Sequence, residues 1–207
     1  MSVILTDPPV IQLRPLSRTP VAVQRLLTAA DLAKMPTTLP TGDVRYELDD
    51  GKLVVMPPPG DIHGENQSRI ITYLNLEGEF KGHGKVRGDV GIILRRNPDR
   101  VVGPDAAFIC NRSLPVRRSK EGYLETIPEI VVEVRSKNDT DAEIESKVEE
   151  YLEAGVVVVW VLDPIHRTVV LYKLNQSAVT LAINDQLTAD DLIPGFNVPV
   201  KNLFPES

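Results

Sequence analysis

The sequence predicts an α/β protein of the α+β kind, with a central mixed β-sheet flanked by helices. The first observation is a series of dense β-branched runs, which are typical of strands covered on both faces of a sheet. These runs occupy residues 101–109, 127–135 and 156–162. The second observation is a pair of segments with helical spacing of apolar residues, at 63–80 and 141–152. A hairpin before this core and extra strands after it complete the predicted architecture.

The chain begins with residues 1–21, which hold four prolines without a clear period. We therefore expect a flexible N-terminal tail there and a single domain over 22–207. A short helix is predicted at 28–35, because Thr28 is a suitable N-cap and Asp31 completes a capping box.

A β-hairpin is predicted where two short β-prone runs flank an Asp-Gly pair. The runs are 45–48 and 52–56, and the pair at 50–51 is a strong signal for a tight hairpin turn. The prolines at 57–59 end the second strand, because proline has no N–H to donate to a sheet. The segment at 63–80 is then predicted to form the first long helix.

The central strands are predicted at 86–94 and at the three β-branched runs. The runs at 101–109 and 127–135 carry the acids Asp105 and Glu133 among their β-branched residues, and a basic loop joins the two runs. Their density of apolar residues indicates that both are buried strands, adjacent to one another in the sheet.

The helix at 141–152 is predicted to cover this sheet with an apolar stripe. The stripe comprises Ile144, Val148, Tyr151 and Leu152. Gly155 is predicted to end the helix. Segments 168–174 and 179–183 are interpreted as a final antiparallel addition, and the apolar residues at 193–204 are expected to pack back onto the domain.

Composition favours a cytoplasmic protein. The net charge is −6, from 23 basic and 29 acidic residues, which argues mildly against a dedicated nucleic-acid-binding module. Cys110 is the only cysteine, so the chain has no internal disulfide and suits a reducing compartment. No apolar run approaches the roughly 20 residues of a membrane span. The first residues lack the pattern of a signal peptide, and we expect no membrane partner.

Asp105 and Glu133 are candidate ligands for a metal ion. An acid inside a β-branched run is costly to bury unless its charge is compensated. Two acids on adjacent strands can place their oxygens on one ion, and Mg²⁺ prefers carboxylate oxygens. The alternative is that each acid pairs with a basic side chain or caps a loop, since structural ion pairs are common.

Lys147 is a candidate partner for these acids. It borders the apolar stripe of the helix at 141–152, so its stem can pack at the core edge while its ammonium reaches the strand ends. The alternative is a solvated lysine that contacts Glu143 or Tyr151, one helical turn away.

Six short motifs follow one another along the chain, and each motif alone is weak evidence for any family. They lie at 46–53, 56–59, 103–105, 131–136, 145–155 and 159–164. Together they resemble the Uma-two family of bacterial restriction endonucleases, which looks like a branch of the PD-(D/E)XK nuclease superfamily. The resemblance covers roughly residues 25–204. It implies a restriction-endonuclease-like core, in which helices flank a mixed sheet.

The resemblance also implies a metal-dependent endonuclease that hydrolyses phosphodiester bonds of nucleic acid, foremost DNA. Asp105 and Glu133 would bind Mg²⁺ or Mn²⁺. In the superfamily a lysine stands two residues after the second acid, but this chain has Arg135 there. In similar families the lysine has moved to the following helix, which here gives Lys147. Arg135 and Lys137 remain rivals for this role.

Two further positions match the family motifs. Glu47 would be a further metal ligand or a group that positions water, or else a surface acid of the hairpin. His63 would touch a phosphate or move a proton, or else serve only the start of the helix.

The loop at 112–120 is basic, with four cationic residues and no acid. These residues are Arg112, Arg117, Arg118 and Lys120. They would contact a nucleic-acid backbone, or else form a solvated loop. DNA is the expected partner, and a homodimer is a further possibility.

Two other functions compete with the endonuclease. The first is a catalytically silent module that keeps the nuclease-like fold and binds nucleic acid or a partner protein. The second is a glycosidase-like pair of acids, which ranks last because only 5% of the residues are aromatic and able to line a sugar cleft.

Overall fold

The computed structural model describes residues 25–40 and 42–205, and the predicted tail at 1–21 lies outside the described residues. In chain order its strands are β1 (Thr38–Leu39), β2 (Gly42–Asp43), β3 (Arg45–Asp49), β4 (Lys52–Met56), β5 (Gly84–Gly88), β6 (Ile92–Arg95), β7 (Arg100–Val102), β8 (Ala106–Cys110), β9 (Ile130–Val134), β10 (Val158–Asp163), β11 (Thr168–Tyr172), β12 (Val179–Leu181), β13 (Gln186–Thr188) and β14 (Asn197–Pro199). The α-helices are α1 (Ala29–Leu32), α2 (Asp61–Tyr73) and α3 (Asp141–Ala154). A π-helix (Leu74–Glu79) follows α2, and 3-10 helices occupy Asn111–Ser113 and Val200–Leu203.

A six-stranded mixed sheet forms the centre of the fold, in the order β12-β11-β10-β9-β8-β5. β9 and β10 run parallel, whereas the other neighbours are antiparallel. Parallel neighbours need a crossover connection, and α3 supplies it between β9 and β10. Because α2 and α3 contribute to the cores on the two faces, the predicted sheet flanked by helices is confirmed.

Side chains of the central strands alternate between the two faces, because successive strand residues point to opposite sides. Phe108, Val132 and Trp160 pack with α2 and with the C-terminal segment, which confirms the predicted C-terminal packing. Val131 packs on the other face with α3. Glu133 lies two residues after Val131, and its side chain therefore faces α3 as well.

The predicted hairpin is confirmed, and it belongs to a second, four-stranded sheet in the order β4-β3-β7-β6. Its turn residues Asp50 and Gly51 have φ values of 48° and 76°, the left-handed conformation of a tight hairpin turn. β3 joins β7 through the pair Leu48 and Val101. The hairpin is thereby attached to the chain segments that lead into and out of the central sheet.

Two predicted strands were wrong as single elements. The segment at 86–94 divides into β5 and β6, and the segment at 101–109 divides into β7 and β8. Each segment passes from one sheet to the other. Asp89 has a left-handed φ of 49° at the first break, and Pro104 lacks a backbone donor at the second. Asp105 therefore lies immediately before β8, and not inside a strand.

The first long helix also differs from the prediction of 63–80. α2 begins at Asp61, and regular α-helix ends at Tyr73, where the π-helix takes over. Gly78 of the π-helix lies against Phe108, and a Cβ at Gly78 would stand 2.6 Å from that ring. A side chain at this position would therefore force the helix away from the sheet.

The predicted N-cap at Thr28 and the predicted end of α3 at Gly155 are confirmed. Thr28 and Thr140 each accept a hydrogen bond in a complete capping box, with Asp31 and Glu143 as the reciprocal acids. Gly155 ends α3 with a φ of 106°. Along residues 25–40 and 42–205, each helix is too short or too polar to traverse a bilayer.

Candidate active site

A cleft of about 870 Å³ lies where the two sheets meet. Its lining includes β3, the prolines after β4, the start of α2, the end of β9 and the loop that follows β9. Five of the predicted site residues line it together: Glu47, His63, Asp105, Glu133 and Lys147. These residues come from five separate segments of the chain, so the fold brings together what the sequence keeps apart.

Asp105 is buried beside the end of β9. Its Oδ2 atom accepts a hydrogen bond of 2.7 Å from the backbone N–H of Val134, and His63 Nε2 lies 3.2 Å from the same oxygen. Among the described residues, no donor reaches Oδ1 of Asp105. The contacts with Val134 and His63 therefore fix one carboxylate oxygen of Asp105 and leave the other available to a ligand in the cleft.

Glu133 is buried on the α3 side of β9. Its Oε1 atom accepts hydrogen bonds from the Tyr151 hydroxyl at 2.6 Å and from Lys147 Nζ at 3.2 Å. Oε2 receives no donor from the part of the chain that the structure describes. Burial raises the pKa of Glu133. The ammonium of Lys147 lowers this pKa and the carboxylate of Asp105 raises it, and the resulting pKa is about 6.

Lys147 occupies the position that the helical wheel predicts, at the edge of the apolar stripe. Besides Glu133, its Nζ atom lies 3.7 Å from Oε1 of Glu47. Burial lowers the pKa of Lys147, but the carboxylates of Glu133 and Glu47 raise it by more, so the pKa lies above its ordinary value. The ammonium therefore stays charged at neutral pH.

The two rival basic residues have other surroundings. Arg135 lies 2.8 Å from Asp141 and 3.5 Å from Asp163, measured from its guanidinium nitrogens to the carboxylate oxygens. Lys137 lines the cleft and makes no ion pair within the described residues. Of the three basic residues considered, only Lys147 contacts Glu133 in this structure.

Glu47 is a buried acid, and its position on β3 excludes the alternative of a surface residue. Its Oε1 atom accepts a hydrogen bond of 3.1 Å from the N–H of Gly103, and Arg100 Nη1 lies 3.6 Å from Oε2. Arg100 also donates to the carbonyl of Leu48 at 3.0 Å and to Glu150 at 2.6 Å. Burial lowers the pKa of Arg100, whereas Glu150 and Glu47 raise it above its ordinary value.

His63 lies in the first turn of α2 and is partly buried. Burial lowers its pKa, but the contact with Asp105 raises it more, so the pKa lies above its ordinary value. Its Nδ1 atom is buried and has no hydrogen-bond partner among the described residues. One helical turn later, Gln67 donates to the carbonyl of Asp105 at 3.0 Å and to Oδ1 of Asp89 at 2.8 Å. Gln67 thereby ties the two strand breaks together.

The sequence did not reveal the roles of Tyr151, Arg100 and Gln67. Tyr151 was predicted only as part of an apolar stripe, although a hydroxyl on a fully buried stripe is a signal that a partner must exist. Arg100 directly precedes the apolar residues of β7, and a buried arginine needs an acid. The acids that contact Arg100 are Glu47 and Glu150, which lie far from it in the chain, and the sequence does not identify them.

The basic loop lies apart from the cleft lining. Arg112 is mostly exposed and stands 3.5 Å from the carboxylate of Glu129. Arg117, Arg118 and Lys120 are exposed. Their contact with nucleic acid stays a prediction.

Asp105 and Glu133 are the residues that fit a divalent cation. Across the described ranges, no three His, Cys, Asp or Glu side chains form a cluster arranged to hold a metal. Mg²⁺ does not require such a cluster, because it commonly binds one or two carboxylates, several waters and substrate phosphates. The oxygens without donors, Oδ1 of Asp105 and Oε2 of Glu133, supply that donor set. Glu47 lies in the same cleft, but Arg100 and Lys147 already stand beside its carboxylate.

Comparison with known proteins agrees with the resemblance found in the motifs. A family model, Uma2, described as "Putative restriction endonuclease", matches residues 29–201. The crystal structure of a "putative nuclease belonging to DUF820" from Anabaena variabilis superposes with a TM-score of 0.69 at 19% identity, over 86% of this chain and 97% of that chain. This likeness shows a shared fold. No curated protein matches the chain significantly. Because the family model spans most of the sequence, the chain belongs to the Uma2 family.

Proposed function

We propose that this protein is a metal-dependent nuclease that hydrolyses phosphodiester bonds of DNA. The single observation that carries the proposal is the convergence of Asp105, Glu133 and Lys147 in one cleft. The description of the family supports nuclease chemistry. The metal, the DNA substrate and the roles of the residues are our own proposals.

Asp105 and Glu133 would hold Mg²⁺ or Mn²⁺ through the two oxygens that receive no donor. When bound, the metal supplies a water of lowered pKa and polarises the phosphoryl oxygen. His63 and the N–H of Val134 hold the opposite oxygen of Asp105, and Tyr151 and Lys147 hold the opposite oxygen of Glu133. Both acids are therefore oriented before any ligand arrives.

Lys147 would act on the substrate rather than on the metal. Its ammonium is charged and can stabilise the negative charge that develops on the phosphate, or orient the attacking water. Glu47 lies 3.7 Å from that ammonium and supports its position together with Glu133. The proposed chemistry thus combines two oriented acids with one oriented cation.

Cleavage of a nucleic-acid panel in Mg²⁺, Mn²⁺ or EDTA tests this function, with single-stranded and duplex DNA and RNA as substrates. We expect cleavage of DNA that EDTA abolishes, and a rise in melting temperature with either metal, since a ligand of the folded state stabilises it. Asp105→Asn should remove both effects. Asp190→Asn is the matched control, because Asp190 lies outside the cleft lining.

A contrary result would be a melting temperature that millimolar metal leaves unchanged, together with no cleavage of any substrate. That outcome would favour the catalytically silent module, which binds nucleic acid or a partner protein on the same fold.

A further inference from the structure

The mouth of the cleft is apolar, although its floor is charged. Ile62 and Ile165 both line the cleft, and their side chains are 62% and 71% exposed. Exposed prolines at 57–59 line it as well. Single exposed aliphatic residues are ordinary on a protein surface. Several of them around one polar cleft indicate a ligand that carries apolar groups next to charged ones.

The cleft is also poor in free positive charge. Its lining holds six carboxylates, on Glu47, Asp61, Asp89, Asp105, Glu133 and Asp139, against four Lys or Arg side chains. Arg45 lies 2.6 Å from Asp89, and Arg135 and Lys147 also pair with acids. Among the lining cations in the described ranges, Lys137 alone lacks an acidic partner.

These two features disfavour duplex DNA as the ligand of the cleft. A duplex carries about one negative charge per 1.7 Å of its axis, and its binding relies on many lysine and arginine contacts to phosphates. Its bases are stacked inside, so it offers few apolar faces to residues such as Ile62 and Ile165. A duplex would therefore meet acids and aliphatic groups where it needs cations.

We infer that the cleft selects an unpaired DNA strand over a duplex, an inference that rests on the proposed nuclease function. A single strand has a lower charge density, and its bases are free to pack on apolar side chains. Bases would contact Ile62, Ile165 and the prolines at the mouth. The phosphodiester between them would reach Asp105 and Glu133 at the floor.

Fluorescence anisotropy tests the inference with a labelled strand of about 12 nucleotides and with the matching duplex, a length that spans one typical single-strand site. Ca²⁺ replaces Mg²⁺, since it also binds carboxylate oxygens. We expect the strand to bind at least about tenfold more tightly than the duplex, as burial of one or two isoleucine side chains against the bases would provide. The plot of log affinity against log salt should have a shallow slope. Each neutralised phosphate contributes about −0.7, so contact with at most about three phosphates gives a slope no steeper than about −2.

A double variant, Ile62→Ser with Ile165→Ser, removes the aliphatic contacts without touching the core. It should lose about tenfold in affinity for the strand, because the aliphatic area buried against the bases is removed, and little for the duplex. Leu174→Ser is the matched control, because Leu174 is 55% exposed and lies outside the cleft lining. Equal binding of strand and duplex, binding of neither, or an equal loss for both would overturn the inference.

Cleavage in Mg²⁺ separates this inference from the proposed function. Preferential cutting of the duplex would overturn the inference and support the nuclease. Tight strand binding without cleavage of any substrate would support the inference and contradict the nuclease.

Discussion

Two donors share one oxygen of Glu133, the neutral hydroxyl of Tyr151 and the charged ammonium of Lys147. A carboxylate held at one oxygen keeps its other oxygen in a defined direction. The hydroxyl contributes only this orientation, whereas the ammonium also contributes charge. Substitution of one residue at a time therefore separates the orientation of Glu133 from the stabilisation of negative charge.

Lys147→Met removes the ammonium and keeps most of the apolar stem beside the core. We expect folding and Mg²⁺ binding to persist while the cleavage rate falls by about 10²–10⁴, the usual effect of losing one positioned catalytic group. Rates on a labelled DNA strand and thermal melts with Mg²⁺ measure the two effects. Arg135→Met and Lys137→Met are the controls. If a control variant is inactive while Lys147→Met retains activity, Lys147 is not the functional cation.

Tyr151→Phe removes one hydrogen bond and leaves the ring in the core. We expect a stability loss of about 1–3 kcal/mol, because a buried charged acceptor loses a donor. Mn²⁺ should bind several-fold more weakly, since the Glu133 carboxylate is less constrained. Denaturant unfolding and calorimetric titration measure these changes. Tyr172→Phe is the matched control, because Tyr172 donates no side-chain hydrogen bond among the described residues. Unchanged Mn²⁺ affinity in Tyr151→Phe would show that the hydroxyl serves stability alone.

At the scale of the elements, α3 was predicted closely, because its apolar stripe and the terminal Gly155 are local signals. The predicted end of the first long helix was wrong, because a π-helix replaces regular α-helix after Tyr73. The divisions between β5 and β6 and between β7 and β8 were missed, because all four strands contain buried apolar residues. A continuous apolar run indicates that a segment is buried, but it does not indicate which of the two sheets each part of the segment joins.

Replacement of glycine by alanine should have opposite effects on stability at two positions. Gly84→Ala would place a Cβ 2.2 Å from the carbonyl oxygen of Ile109, and we expect a loss of about 1–3 kcal/mol from overpacking. Gly64→Ala, inside α2, meets no atom within 4 Å and should stabilise by about 0.5–1 kcal/mol through helix propensity. Urea unfolding of both variants gives the free energies. A stabilising Gly84→Ala would mean that β5 does not approach β8 as closely as described.

At the scale of the whole molecule, Arg100 connects the hairpin sheet to the helix that covers the central sheet. From β7 it reaches Glu47 and the carbonyl of Leu48 on β3, and Glu150 on α3. Three elements from distant parts of the chain therefore depend on one buried guanidinium.

Arg100→Met should destabilise the protein by about 3–5 kcal/mol, because Glu47 is left buried with less compensation of its charge. Denaturant unfolding measures the loss. Arg95→Met is the matched control, since the ion pair of Arg95 with Asp50 is exposed and its removal should cost at most about 1 kcal/mol. Equal stability of the two variants would contradict the connecting role of Arg100.

Part of the candidate site was predictable from the sequence, and part depends on contacts between distant segments of the chain. Asp105, Glu133 and Lys147 were predicted as partners, and the structure brings them to one cleft. The contact of Lys147 with Glu47 and the position of Arg100 were not foreseen, because they depend on how the two sheets meet. Residue type, helical spacing and the family resemblance thus identified the candidate residues, and the fold shows which of them meet in one cleft.

The β9–α3–β10 crossover places Glu133, Lys147 and Tyr151 in one continuous stretch of the chain, whereas Asp105 and Glu47 arrive through the junction of the two sheets. The proposed centre therefore consists of a locally encoded half and a half that only long-range docking completes. A truncated or partly folded chain would carry the first half alone. Under the proposed function, such a chain would lack a competent metal site and would not cut DNA before the two sheets have docked.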